Sequence, residues 1–176
     1  LFKAVALMLS TSILAMNTEV ILPIFVHDIL NGNATTYSAL LSAIGIGSTI
    51  GAVLAAFRNT PPSHRRLYLS TLSLASIMII AGLVQDYRFL LLCMFCFGFC
   101  NITFITSINS LLQLNSADEY RGRVMSVYAL TMAGATPIGN LLTGTIIQHS
   151  NANMGFLICG TILFGLIIII AKYVRV

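Results

Sequence analysis

The sequence predicts an all-α integral membrane protein built from six transmembrane helices. Of its 176 residues, 57% are hydrophobic and 8% charged, against roughly 25% charged in an ordinary soluble domain. Mean hydropathy is +0.94, so too little polar surface exists to face water. Six apolar stretches are long enough to cross a hydrocarbon core of about 30 Å at 1.5 Å per residue. The same figures exclude a soluble globule and a disordered chain, which would be charged and poor in aliphatic residues. A net charge of +4 is too small, and too bound up with loops, to indicate nucleic acid.

The spans run approximately over residues 4–26, 34–57, 67–84, 89–114, 124–148 and 154–171 of a single domain, 1–176. Helix is preferred to a β-barrel because runs such as Ile167 to Ile170 are apolar on every face, whereas barrel strands alternate. Turn formers punctuate the chain at Asn31-Gly32-Asn33, Pro61-Pro62-Ser63, Gln85-Asp86-Tyr87, Asn115-Ser116 and Ser150 to Asn153. With alternating loops, one side collects Lys3, Arg58, Arg65, Arg66, Arg121, Arg123, Lys172 and Arg175, and the other holds Arg88 alone. The positive-inside rule then places both termini in the cytoplasm. No signal peptide is expected, since the first apolar stretch is long enough to span and no small-residue cleavage pattern follows it. A first residue of Leu1 rather than Met raises the expectation of a fragment.

Polar side chains at membrane depth are functional candidates, because each costs a few kcal/mol to insert. Glu19 stands out in the first span, where Ser12, Ala15 and Glu19 are expected to share one face turned into the bundle. Desolvation there would raise its pKa and suit it to exchange a proton, the alternative being a neutral, hydrogen-bonded Glu near the interface. Small residues Ser38, Ser42, Gly45, Thr49, Ala52 and Ala56 line one stripe of the second span, and Gly47 and Gly51 form a GxxxG pair on a neighbouring face. Both patterns permit close helix approach. The inner half of the fourth span carries Asn101, Thr103, Thr106, Ser107, Asn109, Ser110 and Gln113, which fits either a wet cavity or interhelical hydrogen bonding. In the fifth, Thr136, Asn140 and Thr143 share a face, and Pro137 should free the Ala133 carbonyl and bend or break the helix.

Enzyme chemistry finds no foothold. Gly45 to Ser48 lacks a histidine at matching depth for an intramembrane nucleophile, and no Walker, zinc or Gly-rich nucleotide motif occurs. Cys93, Cys96 and Cys100 share a face, but no histidine joins them in that span, and thiols behave as small hydrophobes in lipid. No metal or cofactor is assigned. His27, His64 and His149 sit at or near span ends, where a solvated interfacial role is the default, and Asn33-Ala34-Thr35 matches a glycosylation sequon.

Three segments carry a family resemblance. Asn109 to Gln113, then Asp118-Glu119-Tyr120-Arg121-Gly122-Arg123-Val124-Met125-Ser126, then Pro137 to Gly144 resemble the carboxy-terminal half of major facilitator superfamily exporters. The nearest group is the transmembrane secretion effector family, which includes the enterobactin exporter and macrolide-efflux relatives. Leu22 to Phe25, Tyr37 to Leu41 and Gly45 to Gly51 are similar to that family's seventh and eighth helices, while Asn115-Ser116-Ala117 replaces its usual hydrophobic-Pro lead-in and Ser38 stands where it tends to have Gly. The resemblance implies helices seven to twelve of a twelve-helix transporter, arranged as two three-helix units of inverted topology in the cell (inner) membrane. It implies proton-driven efflux of a drug, macrolide or siderophore by alternating access, with either a missing amino-terminal half or a second copy completing the molecule. A six-helix homodimer or non-transporting remnant is the alternative.

The expected roles are as follows. Glu19 is the candidate protonatable group, and Asn17, Asn101, Asn109, Gln113 and Asn140 are candidates for the substrate cavity. Asp118, Glu119, Arg121 and Arg123 are candidates for a cytoplasmic gate, where acids beside guanidinium groups can latch one state, with Gly122 allowing a tight turn. Expected partners are the lipid bilayer, protons and a small-molecule substrate, with no nucleic acid.

Overall fold

A computed structural model describes residues 2–58 and 63–173. Pro61, Pro62 and Arg175 lie outside the described residues, as does the side chain of Lys3. The described chain is all helix and turn: α1 Phe2–Leu14, α2 Thr18–Asp28, α3 Ala34–Ala56, α4 His64–Leu83, α5 Tyr87–Leu114, α6 Arg121–His149 and α7 Ala152–Tyr173. The first predicted span is thus two helices in series, and the remaining five match to within three residues at each end.

The loop residues start the helices. Asn33 accepts the Thr36 amide at 3.1 Å, Ser63 accepts that of Arg66 at 3.3 Å, and Asp86 Oδ1 accepts those of Arg88 and Phe89 at 2.8 and 3.1 Å. Each satisfies amides that have no partner within their own helix. After α2 the chain turns through Asn31 at φ 47, a left-handed conformation that asparagine tolerates, and the Gly32 amide closes on the Val26 carbonyl at 2.8 Å.

Five segments are long and apolar enough to cross a membrane: Ala4–Asp28, Ala34–Ala56, His64–Leu83, Tyr87–Leu114 and Ala152–Lys172. The protein is therefore a multi-pass membrane protein. The predicted fifth span, 124–148, lies wholly within α6, whose 29 residues extend about 44 Å. It falls short of the others in apolarity because Ser126, Thr131, Thr136, Asn140, Thr145 and Gln148 interrupt it. Pro137 lies inside this helix without ending it. The expected mid-depth break occurs in the first span instead.

Three helix pairs are drawn together by glycines. A Cβ at Gly47 of α3 would run into the Phe95 carbonyl, and one at Gly98 of α5 into that of Ile44, so the two backbones meet directly. Ser48 Oγ donates to the Gly98 carbonyl across this crossing at 3.1 Å. Between α4 and α7, a Cβ at Gly82 would lie 2.8 Å from the Asn153 carbonyl and one at Gly160 3.0 Å from the Ile79 amide nitrogen. Between α1 and α6, Gly139 abuts the Ile13 carbonyl. Such crossings gain dispersion contacts, the main attraction left between helices in lipid. The Gly47/Gly51 face is the buried one; Ser38, Ser42, Gly45, Thr49 and Ala56 of the other α3 stripe are exposed. The serine and threonine hydroxyls there bond carbonyls four residues back, so among the described residues they tie the stripe to no other helix.

The centre is filled by Phe25, Phe97, Phe104 and Phe156, with Phe25 and Phe156 edge to face at 5.7 Å. Helix α4 packs on α1, α5 and α7; α3 contacts only α5 and α2; α6 contacts α1, α2, α5 and α7. α3 and α6 are consequently the two helices with most free surface, including Val127, Leu130, Ile138 and Leu141, each more than half exposed.

Candidate functional site

The first span breaks over Ala15-Met16-Asn17 because an asparagine side chain takes over a backbone role. Ala15 makes the last bond of the first segment, to Thr11 O at 2.8 Å. Asn17 Nδ2 then donates to the Ile13 carbonyl at 2.5 Å, the acceptor its own amide would use in a continuous helix. The Asn17 carbonyl meanwhile accepts the Val20 and Ile21 amides, both at 3.1 Å, and α2 begins. Asn17 Nδ2 also donates to Thr143 Oγ1 on α6 at 2.8 Å, and Thr143 Oγ1 lies 3.6 Å from Cys159 Sγ on α7. Asn17 and Thr143 are completely buried. Gly139, one turn from Thr143, leaves the space the unwound backbone occupies: a Cβ there would sit 2.6 Å from Asn17 Oδ1. Irregular backbone at membrane depth survives only when neighbouring helices supply partners in this way.

The break decides where Glu19 points. Ser12 and Ala15 are buried, Ser12 Oγ lying 3.1 Å from Met132 Sδ, whereas Glu19 is exposed. The expected shared face does not form, because the helical register restarts at Asn17. Glu19 instead joins Pro23 and His27 in an exposed row at i, i+4 and i+8 on α2. It lies in the first turn of α2, where the helix dipole favours a negative charge.

The other amides separate into two kinds. Asn101 on α5 and Asn140 on α6 are half-buried, and each keeps a buried Oδ1 without a partner, as does Asn17. An orphaned buried acceptor costs about 1–3 kcal/mol unless water or a ligand meets it. Asn109 Oδ1 is occupied, because Gln113 Nε2 donates to it from one turn along the same helix. Thr103 and Thr106 bond carbonyls of their own helix, so they are less available than their spacing implies.

A family model described as transmembrane secretion effector, within the major facilitator superfamily, matches residues 1–176. The chain belongs to this family. Comparison with curated proteins and with solved structures gave no match. Family membership and the membrane-spanning bundle together support a transport role.

In this transmembrane secretion effector the gate candidates lie at the start of α6. Arg121 Nη2 pairs with Asp118 Oδ1 at 2.7 Å, but the pair is local and its side chains are 50% and 88% exposed, so it adds little stability. The Arg123 guanidinium lies 5.8 Å from the centre of the Tyr120 ring, and Glu119 is exposed. Gly122 stands within the first turn of α6, not at a tight turn, and the reversal is made by the three residues before Arg121. Tyr120, Arg123 and Tyr128 line an apolar cavity of about 250 Å³ with Val5 and Met8 of α1. Sequence reasoning missed Tyr128, which no spacing rule marks. Among the described residues, no three His, Cys, Asp or Glu side chains are placed to hold a metal ion.

Proposed function

We propose that this chain forms one six-helix half of a proton-coupled exporter of small molecules that works by alternating access, with both termini cytoplasmic. The observation that carries the reading is the discontinuous first span, held by Asn17, Gly139 and Thr143, with Glu19 opening the exposed row of α2. Broken helices at the binding level are how transporters expose polar backbone to cargo and ions. The helix pairings support two inverted three-helix units: α3 on α5 answers α6 on α1, α4 on α5 answers α7 on α1 and α2, and α4 on α7 is its own counterpart.

In the proposed cycle the free faces of α3 and α6 meet a complementary six-helix half, and substrate sits between the halves. The amide oxygens of Asn101 and Asn140, buried and without a partner in this state, turn outward to accept hydrogen bonds from it as the halves move. Glu19, exposed in this chain, is shielded when the halves close on it and releases its proton when they part. Arg121, Arg123, Asp118 and Glu119 close the basic end. Macrolides and siderophores, and many drugs, present amide or hydroxyl donors that such a cavity would accept.

The test is cellular. In cells stripped of their main efflux pumps, the complete protein should lower accumulation of at least one of a cationic dye, a macrolide and a catecholate siderophore. Replacing Asn101 and Asn140 with Leu should weaken that export about tenfold, equivalent to about 0.7 kcal/mol for each of two hydrogen bonds. Equal accumulation with and without the protein across all three compounds contradicts export.

A further inference from the structure

The two three-helix units differ in how their last two helices meet: α6 touches α7, but its counterparts α3 and α4 do not touch. Glycine packing explains the gap. Gly47, Gly51 and Gly98 hold α3 down on α5, while Gly82 and Gly160 draw α4 toward α7, so the floor of α5 lies open between them. The resulting groove has a volume of about 620 Å³, walled by Ile50 of α3 and Ser73 and Ile77 of α4 and floored by Phe95, Phe99 and Cys100 of α5. Phe99 also lines a separate constriction of about 20 Å³ at the basic end of the bundle, beside Leu54, Arg58, Arg66, Thr103 and Ser107.

We propose that this groove binds one anionic phospholipid, an acyl chain lying along α5 and the phosphate resting at the outer lip against Arg58. The dimensions select a chain over a helix. A helix about 10 Å across displaces about 400 Å³ per turn, so a groove of about 620 Å³ would hold less than two turns, whereas a hydrocarbon chain is thin enough to lie within it. The lining is apolar apart from serine hydroxyls and thiols, as a methylene chain requires. Charge complementarity selects the headgroup. Arg58 is exposed at the end of α3, and Arg66 lines the same constriction from the first turn of α4. Basic pockets between spans on the cytoplasmic side are suited to anionic headgroups. The constriction is too small to admit the headgroup itself, which therefore stays at the surface.

The absence of tryptophan from these 176 residues gives a clean reporter. Phe95→Trp places a fluorophore on the groove floor, and Ile169→Trp places one on the exposed face of α7 as a reference. The protein as expressed, with any tryptophan outside these residues changed to Phe, is reconstituted in phosphatidylcholine vesicles containing a minority of phosphatidylglycerol. One lipid or the other carries brominated acyl chains. The expected result is quenching of the Phe95→Trp reporter by phosphatidylglycerol well beyond its share of the bilayer, with none of that excess at Ile169→Trp. Arg58→Gln should reduce the preference about fivefold, and Arg58→Lys should keep most of it. Equal enrichment at both reporters overturns the proposal, as does a preference unaltered by Arg58→Gln. Weak quenching of Phe95→Trp by either lipid also overturns it, since protein would then fill the groove.

Discussion

Gly98→Leu is expected to cost about 3 kcal/mol or more and to prevent recovery of a monodisperse protein from the membrane. The atom its first methylene meets is the Ile44 carbonyl oxygen, part of a helical backbone that cannot rotate aside. Overpacking commonly costs about 1–3 kcal/mol even when side chains can adjust. Here α3 has only α5 and α2 to pack on, so separating this crossing releases nearly all of α3. Gly165→Leu on α7 is the control, because nothing lies within 4 Å of the added Cβ. Detergent-solubilised yield and the thermal midpoint should fall sharply for the first variant and change little for the second.

Asn17→Leu is the second large effect, and it should separate fold from function. Leucine is close to asparagine in shape and a better helix former, but it cannot donate to the Ile13 carbonyl or to Thr143 Oγ1. The first span should then close into a continuous helix, re-aiming the row of Glu19, Pro23 and His27 relative to α1. On the proposed export function, the initial rate should drop at least about tenfold, about 1.4 kcal/mol in the barrier, while the protein still reaches the membrane. Thr143→Val removes one hydrogen bond and leaves the Ile13 bond intact. Interhelical bonds in membranes average about 0.6 kcal/mol, so its rate should fall less than about threefold. Rates normalised to membrane-inserted protein check both. An Asn17→Leu rate within about twofold of the native protein would show that the break serves packing alone.

The helices were legible because lipid imposes one rule on every face of a span, and runs of apolar residues report it without fine periodicity. Their starts were legible too, since Asn33, Ser63 and Asp86 are the residue types that cap helices in any solvent. The break was written in the same language and is easily overlooked. Asn17-Thr18-Glu19 is a helix-start pattern, an asparagine with an acid in the first turn, but it lies inside an apolar run that reads as one span. Once the register restarts, the face shared by Ser12, Ala15 and Glu19 no longer exists. The choice between the two small-residue faces of α3 could not be made from spacing, because both permit close approach and only the position of α5 decides. The same holds for the amides: composition marked Asn101, Asn109 and Asn140 alike, but Gln113 takes the Asn109 oxygen while those of Asn101 and Asn140 have no partner.

The most direct test of proton-coupled export is the Glu19→Gln variant in inside-out membrane vesicles under an imposed pH gradient, with one of the exported probe compounds. The native protein should accumulate the compound against its gradient and stop when the pH gradient is collapsed. Glu19→Gln should lose that accumulation while still exchanging labelled for unlabelled compound at equal concentrations, because exchange needs the moving halves but no net proton transfer. Uphill accumulation by Glu19→Gln within about twofold of the native protein, the scale of less than 0.5 kcal/mol, would contradict the account. So would native accumulation that survives collapse of the pH gradient.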